Sequence, residues 1–412
     1  MAIIQVNESS DKRAAVPFQP STRQQQQPNT PAAQRLQTQT SGQKPSVVLV
    51  DAPSRWSMRK LSDMWSSLNL GPSKDSRTEN GISRIYSNAA FSISDSSLKS
   101  WTPRCLNAND FSLYELLGTG TFSNVYRGVN NSTQEEVAVK VIKPEKVCLK
   151  LKKEMYILEY LGGGPNIVGF HGSYSTTASS AIPDTMVMEL ANSCRWCELD
   201  ESMDLMRMQR YLFDLLRALD YSHSRGVMHR DIKPQNILYD IASGKLMLAD
   251  WGQAEFYEPN KKYSTRGVSS LYFKAPELFL DYETYDSSID MWAVGCILAS
   301  FMFRVPFVFK GAAKDYPSQF QAIVKIMGGS DLQEYCKRYS IPLYKAQSLL
   351  PGSLSAYTKM DWESLVNDSN CSRVTDEGLD LLESLLRYDH QERLTAKEAM
   401  AHPFFKEMLR AM

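Results

Sequence analysis

In "HRDIKPQN" (His229 to Asn236) a carboxylate, a cation two places on and a carboxamide three beyond that occur on one short stretch. Residue types in that order suit phosphoryl transfer, which is catalysed mainly by positioning and charge stabilisation and so needs a rigid loop. Asp231 would accept the proton of an attacking hydroxyl, Lys233 would balance charge on the transferred phosphoryl group, and Asn236 would hold a magnesium ion. His229 has no His or Cys neighbour at ligand spacing, so it reads as a brace for the loop. Nineteen residues past Asp231 comes "DWG", whose Asp250 is a plausible second magnesium ligand.

Upstream, "GTGTFSNV" (Gly118 to Val125) lies between two strand-like runs, where a glycine-rich hairpin tip brings backbone N–H groups close to phosphate oxygens. A dinucleotide fingerprint would run from strand to helix instead. Lys140 sits inside "VAVK", flanked by apolar residues, and Glu154 in "KLKKEMYIL" is a suitable carboxylate to fix it while it holds α/β-phosphates. "KAPEL" (Lys274 to Leu278) closes the segment that Asp250 opens. Glycine loop, VAVK, HRDxKxxN, DxG and APE in that order are the signature set of protein kinases.

These groups need elements to carry them. From about Phe111 strand-like alternation with glycine turns predicts successive strands, a helix over "KLKKEMYILEYL" and a strand at "TMVMELA". Beyond residue 200 helical spacing dominates, and "MWAVGCILASFMF" (Met291–Phe303) is too short for a bilayer and reads as a buried helix. The pattern predicts an α+β bilobal fold: an N-lobe over 111–191, a helical C-lobe over 192–409, and a cleft between them. Residues 1–80 are Gln/Ser/Pro-rich, lack hydrophobic periodicity and are expected to be disordered. Within them Leu61, Met64, Trp65 and Leu68 have the spacing of one helical face, which suits a docking helix or arises by chance.

With 43% hydrophobic and 22% charged residues the composition is globular. Zero net charge argues against a nucleic-acid or polybasic membrane protein, although residues 1–110 hold 13 Lys/Arg against 8 Asp/Glu. Seven cysteines make no disulfide framework, and the CxxC pair Cys194 and Cys197 has no second pair at zinc spacing. The N-terminus lacks signal-peptide order. Residence in cytoplasm and nucleus is the expectation.

From about Arg84 to Leu409 the chain resembles the catalytic (alpha) subunit of casein kinase 2, as a divergent member of that family in the CMGC group of kinases. The resemblance rests on "LGGGPNIV", "GVMHRDIKPQN", "LADWGQAEFY", "YFKAPEL" and "LLRYDHQERLTAKEAMAHPFF"; "SRIYSN" (83–88) looks like the start of an N-terminal segment, 81–110, that packs on the kinase domain. It implies a Ser/Thr kinase, constitutively active, using ATP and also GTP with Mg2+. The DWG triplet is that family's form of the metal loop, so the indole N–H of Trp251 would bond a nearby carbonyl and steady Asp250. The implied nucleotide site comprises Gly118, Thr119, Gly120, Thr121, Phe122, Ser123, Asn124 and Val125, then Val137, Ala138 and Lys140. Met188 stands at the gatekeeper position, and Glu189, Leu190 and Ala191 form the hinge. Glu277 and Arg393 would form the buried ion pair found across kinases, and Asp290 would brace the catalytic loop.

The same resemblance implies protein substrates with acidic residues near the Ser/Thr, read by Lys150, Lys153, Arg266 and Lys274. Leu271 replaces an expected arginine, and Val147, Cys148 and Leu149 interrupt the lysine run, so acidic preference should weaken. Arg230 is a candidate receptor for a phosphate on Ser264, Thr265, Ser269, Ser270 or Tyr272. A regulatory beta subunit would dock on the outer face of the N-lobe sheet and form a heterotetramer; no nucleic-acid or membrane partner is implied. Two other readings stay open: a nucleotide-binding pseudokinase scaffold, and a kinase of the same group with altered, for example proline-directed, specificity.

Overall fold

Alternating β-branched residues in "EVAVKVI" suit a pleated, half-buried surface, and they form the middle strand of a five-stranded antiparallel sheet. The strands are β1 (Phe111–Thr119), β2 (Ser123–Asn130), β3 (Glu136–Ile142), β4 (Phe170–Tyr174) and β5 (Thr185–Glu189), in the order β1-β2-β3-β5-β4. The computed structural model describes Leu98 and residues 100–147, 149–176 and 182–411. All of these fall in one of the two units into which the chain divides; the other, Glu8–Lys74, lies outside the described residues. The tail over 1–80, the candidate helix around Trp65, the "SRIYSN" stretch and Cys148 likewise lie outside them.

Side chains alternate across β3 with period two. Val137 and Val139 share the outer face with Tyr174 and Val187 in a small apolar cluster, against which Leu106, Phe111 and Val141 pack. Ala138 and Lys140 face the other way. Residues 104–106 run along the β4 edge, with Leu106 N–H donating to the Ser173 carbonyl (2.8 Å) and Ser173 N–H to the Arg104 carbonyl (2.9 Å).

Helix α1 (Leu149–Leu161) follows β3 and buries Leu151, Met155 and Leu158 on one side. Below the sheet lie α2 (Trp196–Ser202), α3 (Leu205–Ser224), α4 (Pro276–Phe279), α5 (Ser288–Phe303), α6 (Tyr316–Met327) and α7 (Gly329–Arg338). Helices α8 (Leu343–Gln347), α9 (Asp376–Leu385), α10 (Ala396–Met400) and α11 (Lys406–Ala411) complete this lobe. Helix α5 is apolar all round, and all 16 of its residues are buried, as expected of a helix at the centre of a core. No described helix is long and apolar enough to cross a membrane. Two short ribbons carry the loops: β6 (Val227–Met228) pairs β9 (Glu255–Phe256), and β7 (Ile237–Tyr239) pairs β8 (Leu246–Leu248). The lobes are joined at backbone level, since Val168 N–H donates to the Leu248 carbonyl (3.1 Å) and Leu248 N–H to the Asn166 carbonyl (2.7 Å).

The helical lobe is locked by the Glu277–Arg393 pair. Arg393 donates from both terminal nitrogens to the two carboxylate oxygens at 2.6 and 2.8 Å, and to the carbonyls of Arg387, Ser288 and Tyr388. Both side chains are fully buried, and the guanidinium lies over the Trp292 ring. Truncating one partner strands a buried charge, which costs about 3–5 kcal/mol. Arg393→Ala should therefore lower the urea midpoint by a corresponding amount, whereas a shift within error would show the pair to be dispensable.

Candidate active site

The catalytic loop is gathered by one carboxylate. Asp290, in the first turn of α5, accepts from the backbone N–H groups of His229 (2.9 Å) and Arg230 (2.7 Å) and bonds the His223 ring at 2.9 Å. Burial alone would raise its pKa, but these donors overcome it and hold the group below its ordinary range. That is the bracing role read for Asp290 in the sequence. Burial keeps the His229 imidazole neutral. The network assigns its tautomer: Nε2–H donates to the Ala249 carbonyl (3.1 Å) and Nδ1 accepts from the Asp231 N–H (3.2 Å). Arg230 and Asp250 both have left-handed backbones, with φ of 66° and 59°. Such conformations at non-glycine residues cost roughly 1–3 kcal/mol each and persist where surrounding contacts impose them.

Around Asp231 three side chains converge. Lys233 Nζ lies 2.6 Å from Oδ2, and Asn236 Nδ2 donates to the Asp231 carbonyl at 2.8 Å and to Oδ2 at 3.2 Å. The third is Ser270, whose hydroxyl donates to Oδ1 at 2.9 Å and lies 3.2 Å from Lys233 Nζ. Sequence reasoning had Ser270 only as a possible phosphate acceptor. Nothing in its 39-residue separation from Asp231 marks it as a neighbour; only the fold does.

Across the cleft, Lys140 Nζ lies 2.7 Å from Glu154 Oε1 and 3.1 Å from Asp250 Oδ1. Burial pushes this ammonium toward neutrality, but the Asp250 and Glu154 carboxylates outweigh it and hold its pKa above the ordinary value. Lys140 in turn holds Asp250 down to about 2. Register places the lysine opposite Val125 of the glycine hairpin and opposite Met186 of β5. Gly120 N–H closes the hairpin tip on the Ser123 carbonyl (2.8 Å), and Phe122 at the tip is 57% exposed. Lys143, which the sequence did not single out for the loop, donates to the Gly120 carbonyl at 2.7 Å.

Trp251 is fully buried, and its indole N–H donates to the Leu248 carbonyl at 3.3 Å, with its ring edge-on to His229. The expected extra donor is thus used one residue from Asp250. Gly252 follows where a Cβ would come within 3.2 Å of Glu154 Oε2, so a side chain there would press on the carboxylate that pairs with Lys140.

Several expectations need correction. Val137 and Asn124 were read as nucleotide-binding, yet Val137 belongs to the outer cluster on the face opposite Lys140. Asn124 pairs with Val141 on that same face, where its amide bonds the Tyr126 hydroxyl (3.5 Å). Period two decides both, leaving Ala138 and Met188, which pair with each other, on the Lys140 side. At the hinge, Glu189 N–H donates to the Gly169 carbonyl (2.8 Å) and its carboxylate pairs with Lys245 (3.0 Å); Leu190 and Ala191 follow the strand end.

Lys274 is not a surface substrate reader. It is 1% exposed, its ammonium donates to the carbonyls of Thr265 (2.9 Å) and Val268 (2.7 Å), and it lies beside the Tyr316 ring. Lys153 is likewise engaged internally, 2.7 Å from Glu255, whereas Lys150 and Arg266 are exposed. Arg230 donates from Nε to the Gln253 carbonyl (2.7 Å) and from Nη1 to the Tyr285 hydroxyl (2.9 Å), and its Nη2 lies 3.8 Å from Glu255. Cys194 and Cys197 are free thiols, the former pushed up to about 11 by burial.

Two lobes of this construction, with a lysine–carboxylate pair in one facing an aspartate-centred loop in the other, define a phosphotransferase that works on a nucleotide. Comparison with protein families narrows the class, since residues 111–405 match the model of the protein kinase domain. The chain belongs to the protein kinase family, whose reaction is transfer of a phosphoryl group from ATP to a protein.

The buried Lys274 gives a pH signature. Burial pulls its pKa from the ordinary 10.5 to about 8, with Asp281 and Glu277 opposing. Between those values the unfolded chain binds more protons on this group than the folded chain, so stability rises with pH. Urea midpoints of the parent and of Lys274→Met, taken at about pH 7 and about pH 9.5, should show the parent gaining on the variant. A gap that does not change with pH would mean that the buried ammonium titrates normally.

Proposed function

We propose that the chain is a serine/threonine protein kinase of the casein-kinase-2 catalytic type, active without activation-segment phosphorylation. The observation that carries this is the closed state of both halves of the site. Lys140 is paired with Glu154 and Asp250, and Asp231 is flanked by Lys233 and Ser270, all of them groups the chain itself supplies. The scaffold reading is disfavoured by the same fact, because the groups it would be expected to lose are present and paired.

In this reading Asp231 takes the proton of the attacking hydroxyl. Oδ2 is taken by Lys233 and Asn236, but Oδ1 has a lone pair beyond the one bonded to Ser270, so a substrate hydroxyl can be accepted there without displacing them. Lys233 and Ser270 fix the carboxylate's rotation, and Lys233 balances charge on the group in transfer. Lys140 orients the α/β-phosphates under the glycine hairpin, while Ala138, Met188, Leu190 and Ala191 border the base.

The donor set also fits magnesium. Asp250 keeps its carboxylate 45% exposed beside Lys140, and Asn236 commits its Nδ2 to Asp231, leaving Oδ1 as an acceptor. Hard oxygens from one or two side chains, completed by phosphates and water, are what that ion takes. Bound there with the nucleotide, it would supply neutralisation of phosphate charge.

Substrate preference follows from which cations remain at the surface. Arg266 and Lys150 are exposed and suit acidic residues near the acceptor, while Lys274 and Lys153 are withdrawn and Leu271 offers no charge. Exposed charge contacts are worth about 0–1 kcal/mol each, so the preference is weaker than a full set of cations would give. A regulatory beta subunit would meet an outer sheet face whose β4 edge residues 104–106 already cover.

The test is phosphate transfer by the full chain onto serine peptides varied over the four positions after the acceptor, with Asp250→Asn as the inactive control. Selection for Asp or Glu, reduced by Arg266→Ala, is expected. Transfer indifferent to acidic residues would overturn the casein-kinase-2 assignment, and selection for proline would favour the altered-specificity reading. Transfer no greater than the control's would overturn activity itself.

A further inference from the structure

Lys153 and Glu154 are consecutive on α1, about 100° apart around the helix, and they face different partners. Glu154 meets Lys140, whereas Lys153 Nζ lies 2.7 Å from Glu255 Oε2, on β9 just past the metal loop. The same Oε2 lies 3.8 Å from Nη2 of Arg230 in the catalytic loop. One carboxylate oxygen therefore stands between a cation of the upper lobe and a cation of the lower. The Lys153 and Glu255 side chains are only 22% and 20% exposed, so water screens them less than a surface pair.

The surroundings direct this contact at α1. Phe256, next to Glu255, meets the rings of Tyr156 and Tyr160 edge-on at 6.1 and 5.6 Å, and Tyr156 meets Trp101 at 5.2 Å. Aromatic contacts of this kind are tolerant of sliding, whereas an ion pair at 2.7 Å fixes the helix along its axis. Nε and Nη1 of Arg230 are held by Gln253 and Tyr285, which leaves Nη2 as the end that faces Glu255, and Tyr285 Oη also donates to the Ser264 carbonyl (3.0 Å) in the activation segment.

We infer that Glu255 is a positioning residue: a permanent internal anion that couples Lys153 on α1 to Arg230 in the catalytic loop and so keeps Glu154 against Lys140. The carboxylate does by covalent sequence what a phosphate on the activation segment would otherwise have to do by modification. The inference rests on the kinase reading above and adds what sets α1.

The experiment uses the full chain with Glu255→Gln, Lys153→Met and the double variant. Measured are kcat, KM for ATP, KM for the peptide, melting temperature, and deuterium uptake across 149–161. Glu255→Gln should lower kcat/KM for ATP about tenfold, equivalent to about 1.4 kcal/mol, with peptide KM unchanged and uptake raised in α1 alone. Lys153→Met should do the same, and the double variant should be no worse than the poorer single, since both cut one link. Phosphatase treatment of the parent should leave its rate unchanged.

Parent-like kinetics and uptake in Glu255→Gln would overturn the inference, as would additive losses or inactivation by phosphatase. Uniformly raised uptake with a lower melting temperature would make Glu255 a general stability element and equally sink the positioning role. Should the parent itself transfer no phosphate, the kinase reading fails separately, and the uptake of α1 still decides whether the link exists.

Discussion

At the centre of the cleft one ammonium bridges the two lobes of this protein. Lys140 reaches from the middle strand of the sheet to Glu154 on α1 at 2.7 Å and to Asp250 of the metal loop at 3.1 Å. Three elements far apart in sequence are thereby brought to one point, and each is then held by something else. The strand is held by its register, α1 by its apolar face and the Lys153–Glu255 pair, and the metal loop by the Trp251 indole on Leu248. In a weakly polar interior such a cation is costly unless compensated, so its stability depends on both carboxylates being in place. Loss of either partner would be felt in the other lobe.

The lower half of the site follows the same logic with the signs reversed. There a buried carboxylate, Asp290, organises donors, and the loop it gathers presents a second carboxylate, Asp231, to the cleft. Strain at Arg230 and Asp250 is concentrated beside the groups that react. At Arg230 it is offset by the bonds that Asp290, Gln253 and Tyr285 accept from the backbone N–H, Nε and Nη1. Far from the cleft, the fully buried Glu277–Arg393 pair supplies the rigidity on which this depends.

How much of this could be read from sequence varied with the kind of signal. The bilobal α+β fold and the kinase family were legible because five motifs occur in a fixed order, and the chemical identity of Lys140, Glu154, Asp231, Lys233, Asn236 and Asp250 came with them. Trp251 was legible from the chemistry of one added donor, and Asp290 from the resemblance to known kinases. What failed was anything decided by direction. Val137 and Asn124 look like site residues in a string and point to the other side of the sheet in the fold, because side chains alternate. Lys274 and Lys153 look like surface cations until packing shows one enclosed and the other paired. Ser270 and Glu255 were missed because each acts on a residue brought near only by the tertiary fold.

The account's central claim is that phosphoryl transfer depends on the placement of the Lys140 ammonium between two carboxylates, and not merely on a positive charge there. Lys140→Arg tests this most directly, because it keeps the charge that compensates Glu154 and Asp250 while replacing a compact ammonium by a planar fork. Measured in the full chain against ATP and a serine peptide, transfer should fall by about a hundredfold or more while the melting temperature stays near the parent's. Transfer within a few-fold of the parent would contradict the claim.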